Sequence, residues 1–219
     1  MISHTEENYL KAIFKLSEKD NTSASTNGIS KEMNTSAASV TDMLKRLSEK
    51  GLINYEKYKG VTLTAEGNTI ATNLIRRHRL WEVFLLEQLD FSWDEVHDIA
   101  EQLEHIKSDE LVERLDRFLE FPKFDPHGDP IPDADGNFTY RKQVLLSSLN
   151  VKDKGIIVGV NEHSSSFLQY LDQHNLNLGA TITVVEHFDY DSSKRIELNG
   201  QTEHILSAKV CQNLFIQKS

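Results

Sequence analysis

Three features of the sequence predict a mainly α chain with β, built as an N-terminal winged helix-turn-helix, a helical middle and a small C-terminal β-barrel. The first 64 residues hold three helix-length segments followed by two short alternating runs. Apolar residues then recur at helical spacing between Ala65 and Leu119. Beyond Gly155, short apolar-alternating segments return at strand length.

Each element has its own signal. Glu6 to Ser17 reads as the opening helix, because Tyr9, Leu10, Ile13, Phe14 and Leu16 fall near a 3.6-residue period. The polar stretch from Asp20 to Asn27 ends it. Helices follow at Thr26–Met33 and Ser36–Lys50, and Asn34-Thr35-Ser36 between them supplies turn and N-cap chemistry. Gly51 stands where a C-cap glycine belongs. Leu52–Lys57 and Val61–Thr64 alternate as two strands, with Tyr58-Lys59-Gly60 at the tip. Ala65 to Leu89 is helical again, and Trp93 to Leu119 holds one or two more helices. Phe121 to Pro132 contains all four prolines of the chain and must leave helix. Strands are expected at Gly155–Val160, Thr181–Glu186, Arg195–Leu198 and Ala208–Phe215, with one helix at Ser165–His174. The division is a winged helix over residues 1–72, a helical domain over 73–140, a linker over 141–150 and a β-rich module over 151–219.

Composition narrows the class. Hydrophobic residues make up 38% and charged residues 26%, as in an ordinary globular chain. The N-terminus has no basic segment followed by an apolar run, and no stretch approaches the roughly 18 apolar residues of a membrane span. A cytoplasmic protein without a membrane segment is expected. The single cysteine, Cys211, excludes an internal disulfide. The net charge of −10 is unevenly placed: residues 1–75 carry nine Lys and Arg against nine Asp and Glu, leaving 15 against 25 behind them. A neutral head can bind phosphate if its cations share a face, and an acidic body can require cations.

The helix starting at Ser36 suits DNA. Ser36, Ala37, Ala38, Ser39, Thr41 and Asp42 make its leading half small and hydroxylated, while Val40, Met43, Leu44 and Leu47 form a core face. Small residues let a recognition helix approach base edges, and hydroxyls and N-terminal N–H groups bind phosphate. Lys45, Arg46, Lys57 and Lys59 add backbone contacts from helix and wing.

A second signal is His97-Asp98-Ile99-Ala100-Glu101-Gln102-Leu103-Glu104-His105. On a helix, His97, Glu101, Glu104 and His105 share one face, joining two imidazoles to two carboxylates that a divalent cation would stabilise. His78 and Glu82 repeat the spacing one helix earlier. Oxygen and imidazole donors without thiolate suit Mn²⁺ or Fe²⁺ better than a cysteine-rich zinc site. His127, in Asp-Pro-His-Gly-Asp-Pro, reads as a turn residue. No glycine-rich phosphate loop, nucleophile elbow or Cys-His pair is present, so no enzyme is expected.

Together these residues resemble the DtxR/MntR family of metal-dependent repressors, in its three-domain form, over essentially the whole chain. Glu6 to Ile13 is similar to its opening helix, Ser39 to Leu47 to its recognition helix, and Tyr58 to Thr64 to its wing. Arg77 to Leu80, Glu104-His105, Val112 to Asp116 and Phe121 to Pro132 resemble its dimerisation domain. The C-terminal module resembles its SH3-like, FeoA-type domain. The resemblance implies a homodimer that binds a palindromic operator when loaded with Mn²⁺, or alternatively Fe²⁺, and controls metal-homeostasis genes. It implies up to two metal ions per subunit. The primary site would be Asn8, Glu101, Glu104 and His105, with Glu7 able to serve in place of Asn8. The second would be His78, Glu82, His97 and Glu162. Glu101 stands where iron sensors often carry cysteine, which favours manganese. The chain departs from the family at Asn8, where relatives have Asp or Met, and at Lys11, where some manganese sensors have a carboxylate. It departs again at Ser165, a Gln in iron sensors. The alternative reading is a winged-helix regulator that senses a small organic ligand.

Overall fold

The computed structural model describes residues 2–20, 22–56 and 60–219. It divides into two compact units, one of Met1–Arg79, Glu101–Arg114 and Pro132–Phe138, the other of Leu80–Ala100, Leu115–Ile131 and Thr139–Ser219.

The first unit opens with α1 (His4–Asp20), α2 (Thr26–Glu32) and α3 (Ala37–Glu49), then the antiparallel hairpin β1 (Ile53–Glu56) and β2 (Gly60–Leu63). Tyr9, Leu10 and Ile13 of α1 are buried with Ile29 of α2 and Val40, Leu44 and Leu47 of α3. Each buried leucine contributes roughly 1.5–3 kcal/mol, so this common core fastens α1 to α3. Ser25 and Ser36 cap their helices, accepting from the backbone N–H of Gly28 and Ser39. Ala24 and Val61 exchange two 2.9 Å backbone hydrogen bonds, adding an unpredicted third rung beside the hairpin. The next helix, α4 (Ala65–Leu89), starts directly on the Leu52 backbone. A Cβ on Gly67 would lie 2.0 Å from the Leu52 carbonyl oxygen, so only glycine fits there. Lys57 and Lys59, expected on the wing, lie outside the described residues.

The helical middle continues with α5 (Val96–Leu103) and α6 (Asp109–Phe118). No helix among the described residues is long and apolar enough to cross a membrane.

In the second unit, β3 (Val144–Leu145), β4 (Lys154–Val160), β5 (Thr181–His187), β6 (Lys194–Leu198), β7 (Thr202–Leu206) and β8 (Leu214–Lys218) form one antiparallel sheet in the order β3-β8-β4-β5-β6-β7. The expected barrel is corrected: β3 and β7 end the sheet without pairing to each other, so it stays open. A two-residue β3 is too short to close it, and α7 (Ser165–Gln173) covers the core instead through Phe167, Leu168 and Leu171. A second correction concerns Ala208–Phe215. Ala208–Cys211 is a helical turn, α8, capped by Ser207, and the strand begins only at Leu214. Within the stretch read as a linker, Leu146 and Leu149 are 0% and 2% exposed and belong to the sheet's core. Cys211 is buried there, and burial pushes its thiol up to about 11.

Candidate functional site

In the first unit, α1 places Leu10 and Ile13 in the core while Glu7 and Lys11 meet residues from further along the chain. The spacing of His97 to His105 predicted one continuous helical face. In the structure α5 ends at Leu103, and Glu104 and His105 occupy the turn beyond it. Ile106 N closes that turn on the Leu103 carbonyl (3.1 Å), and Ser108 then caps α6, its Oγ accepting from Leu111 N (3.3 Å). The turn still delivers both side chains to α1.

Glu104 has no exposed surface. Its Oε2 lies 2.6 Å from His78 Nδ1. Lys11 Nζ donates to both Glu104 oxygens (2.7 and 2.8 Å) and to Glu101 Oε1 (2.5 Å). His105 Nδ1 is 2.9 Å from Glu7 Oε2, and its Nε2 is 3.8 Å from Glu104 Oε1. Lys107 Nζ reaches Glu7 at 3.1 Å. His4, unremarked in the sequence, stacks on His105 at 4.3 Å, and His4, Glu7 and His105 bring ligand atoms within 4.8 Å of one another. Asn8 Oδ1 is buried without a hydrogen-bond partner. A buried acceptor in that condition costs stability unless something coordinates it, so the residues present fit a cation. Every donor is oxygen or imidazole.

The second unit gathers a different set. Glu82 lies 3.2 Å from His97 Nδ1 and 3.7 Å from His127 Nδ1. Glu82, Asp125 and His127, all buried, bring ligand atoms within 4.8 Å of one another. His127 Nε2 is 2.8 Å from the Trp93 carbonyl, which can only accept, so Nε2 carries a proton. Burial by itself would lower the pKa of His127. The hydrogen bond to Glu82, the charges of Asp125 and Glu82, and the Trp93 carbonyl outweigh it and push the value up to about 9. Asp125 Oδ1 accepts from the backbone of His127 (2.9 Å) and Asp129 (3.0 Å), which folds Asp-Pro-His-Gly-Asp back on itself. From the sequence His127 reads as a turn residue, and Asp125 carries no expectation. The signal available was an imidazole between two carboxylates in a rigid, proline-bounded turn.

Of the second expected set, Glu82 and His97 do meet. His78 contacts Glu104 and is 3.9 Å from Glu101. Glu162 accepts from Ser164 Oγ (2.8 Å) and pairs with Lys209 (3.6 Å), while its neighbour His163 lies on the His127 ring with centroids 4.8 Å apart.

The expected DNA face is laid out on α3. Ser36, Ala37, Ala38, Ser39, Asp42, Lys45 and Arg46 are exposed, with Thr41 half-buried. Ser36 Oγ is held by Ser39 N (3.1 Å), Thr41 Oγ1 donates to the Ala37 carbonyl (2.9 Å), and Lys45 leans towards Asp42 (3.5 Å). These local bonds leave a low, hydroxyl-lined ridge at the front of the helix.

Residues 1–61 match the family model for the iron dependent repressor N-terminal DNA binding domain, and residues 64–133 match its metal binding and dimerisation domain. Residues 144–218 match the FeoA domain. The diphtheria toxin repressor of Corynebacterium diphtheriae is 29% identical over 213 residues, 92% of each chain. A solved manganese-dependent transcriptional repressor in complex with manganese superposes with a TM-score of 0.86 at 30% identity, over 98% of this chain and 100% of that one. A probable metal transport system membrane protein of Chlamydia trachomatis is 44% identical over 86 residues, 39% of this chain. The match spans only 19% of that relative's length.

Proposed function

This chain belongs to the family of iron-dependent repressors, and on that premise we propose that it is a cytoplasmic homodimer that binds a palindromic DNA operator when loaded with Mn²⁺, or alternatively Fe²⁺, and so controls metal-homeostasis genes. One observation carries the metal reading: a fully buried Glu104 lies among His78, His105 and Glu101, with the partnerless Asn8 oxygen on α1. Glu101, Glu104 and His105, with Asn8 or Glu7, are the groups that would hold the first cation. His78, Glu82, His97 and Glu162 remain the candidates for a second, and Glu82 also brings Asp125 and His127 within ligand distance. When bound, a divalent ion supplies the positive charge that the buried carboxylates require. Hard oxygen donors and imidazoles favour manganese or ferrous iron.

The route to DNA runs through this chain's own core. Glu7 and Asn8 stand on α1, whose Leu10 and Ile13 are buried with Val40, Leu44 and Leu47 of α3. Fixing α1 against residues 101–105 therefore fixes the Ala37-Ala38-Ser39 ridge. Metal must favour the DNA-competent arrangement, and a hundredfold preference corresponds to about 2.7 kcal/mol per site, within the usual range of coupling energies. Dimerisation is supported by the ring cluster Trp81, Phe84 and Phe118, with Phe118 left 60% exposed.

Fluorescence anisotropy with duplex DNA from upstream of the protein's own gene tests the reading, in chelator and with added Mn²⁺, anaerobic Fe²⁺ or Zn²⁺. Mn²⁺ or Fe²⁺ should switch binding on, and Glu104→Ala should abolish the response. Operator binding that ignores chelator, or full metal dependence in Glu104→Ala, refutes it.

A further inference from the structure

We propose that Lys11 is an internal competitor for the metal: in the metal-free protein its ammonium occupies the Glu101–Glu104 carboxylate pair, and a divalent cation binds only by displacing it. The inference rests on the metal reading of that site. Lysine is seldom buried unless paired, yet Lys11 is 6% exposed. Its three ammonium protons have three oxygens to meet, Glu101 Oε1 at 2.5 Å and Glu104 Oε1 and Oε2 at 2.7 and 2.8 Å. An ammonium is a compact point charge, so it answers the same electrostatic demand as a metal ion. The oxygens cannot serve both: a divalent ion held by them would lie within a few ångströms of the ammonium, where like charges in a buried site repel strongly.

Two consequences follow for the chain. Metal affinity is set by the difference between two cations, so Lys11 raises the concentration at which the site fills. Lys11 also already joins α1 to residues 101–104 in the metal-free state. Metal binding therefore exchanges one anchor on α1 for another, from position 11 to position 8, about 4.5 Å along the helix axis, beside the Glu7–His105 contact already present. The switch becomes a change of attachment point rather than a passage from loose to fixed.

The test compares full-length wild type, Lys11→Met and Glu104→Ala by metal-buffered Mn²⁺ titration, with thermal melting in chelator and in saturating Mn²⁺. Removing one member of a buried charge group penalises the state that relied on it. Lys11→Met should thus bind Mn²⁺ at least about tenfold tighter, melt lower than wild type in chelator, and match it when metal-loaded. Unchanged or weaker affinity in Lys11→Met, with Glu104→Ala still losing metal, overturns the role of Lys11 alone. Wild-type affinity in Glu104→Ala overturns the metal reading and this inference with it. If Lys11→Met does not fold without metal, reductive methylation of the wild type decides. Lys11 should be protected in chelator and modified several times faster in Mn²⁺, and a rate indifferent to metal refutes the displacement.

Discussion

His127 makes the stability of the metal-free protein depend on pH in a way that can be isolated. It is 2% exposed, donates to the Trp93 carbonyl and lies between Glu82 and Asp125, which together push its pKa up to about 9 from an ordinary 6.5. A value raised on folding stabilises the protein fully below about pH 6.5. That contribution declines as pH rises through the interval and is gone above about 9. At about 1.36 kcal/mol per pH unit, the interval is worth roughly 3 kcal/mol. The perturbation is His127→Gln, which keeps a polar side chain and removes the titration. Urea unfolding in chelator, followed by tryptophan fluorescence, should show wild type losing on the order of 3 kcal/mol more than the variant between pH 6 and 9.5. Trp93 stacks on His127 with ring centroids 6.3 Å apart and reports the same core. Parallel pH profiles for the two proteins would refute the reasoning, because they would mean His127 is not held charged by Glu82 and Asp125.

Two further outcomes are expected. Ala38→Glu places a long anion on the exposed front of α3. It should weaken metal-loaded operator binding at least about tenfold in anisotropy while changing stability by no more than ~0.5 kcal/mol. Phe118→Asp removes an exposed ring that meets Phe84. If that cluster is the dimer face, sedimentation equilibrium should show self-association weakened roughly thirtyfold, the loss of about 2 kcal/mol usual for a buried aromatic anchor.

The parts of the fold legible in the sequence were those with a local cause. Ser25 and Ser36 cap helices by their own hydroxyls, and Leu44 and Leu47 repeat at helical spacing. The wing hairpin alternates as expected. What failed depended on partners distant in sequence. Ala208–Cys211 alternates acceptably for a strand, but the Ser207 cap and the burial of Val210 and Cys211 decide for helix. Whether a six-stranded sheet closes depends on the two-residue length of β3, which no local pattern displays. At the candidate site, Glu104, His105 and Glu101 were visible from spacing. The reach of Lys11 across 93 residues to Glu104 was not.

Cys211 carries a last consequence. Its thiol is buried beside the Leu206 carbonyl and pushed up to about 11, and it is the only sulfur of its kind in the chain. Oxidants and alkylating agents attack the thiolate, which at neutral pH is scarcely present here. With a carboxylate at Glu101, the groups proposed to hold metal offer peroxide no thiol to attack. Thiol oxidation is thereby removed as a route to inactivating the groups proposed to hold metal.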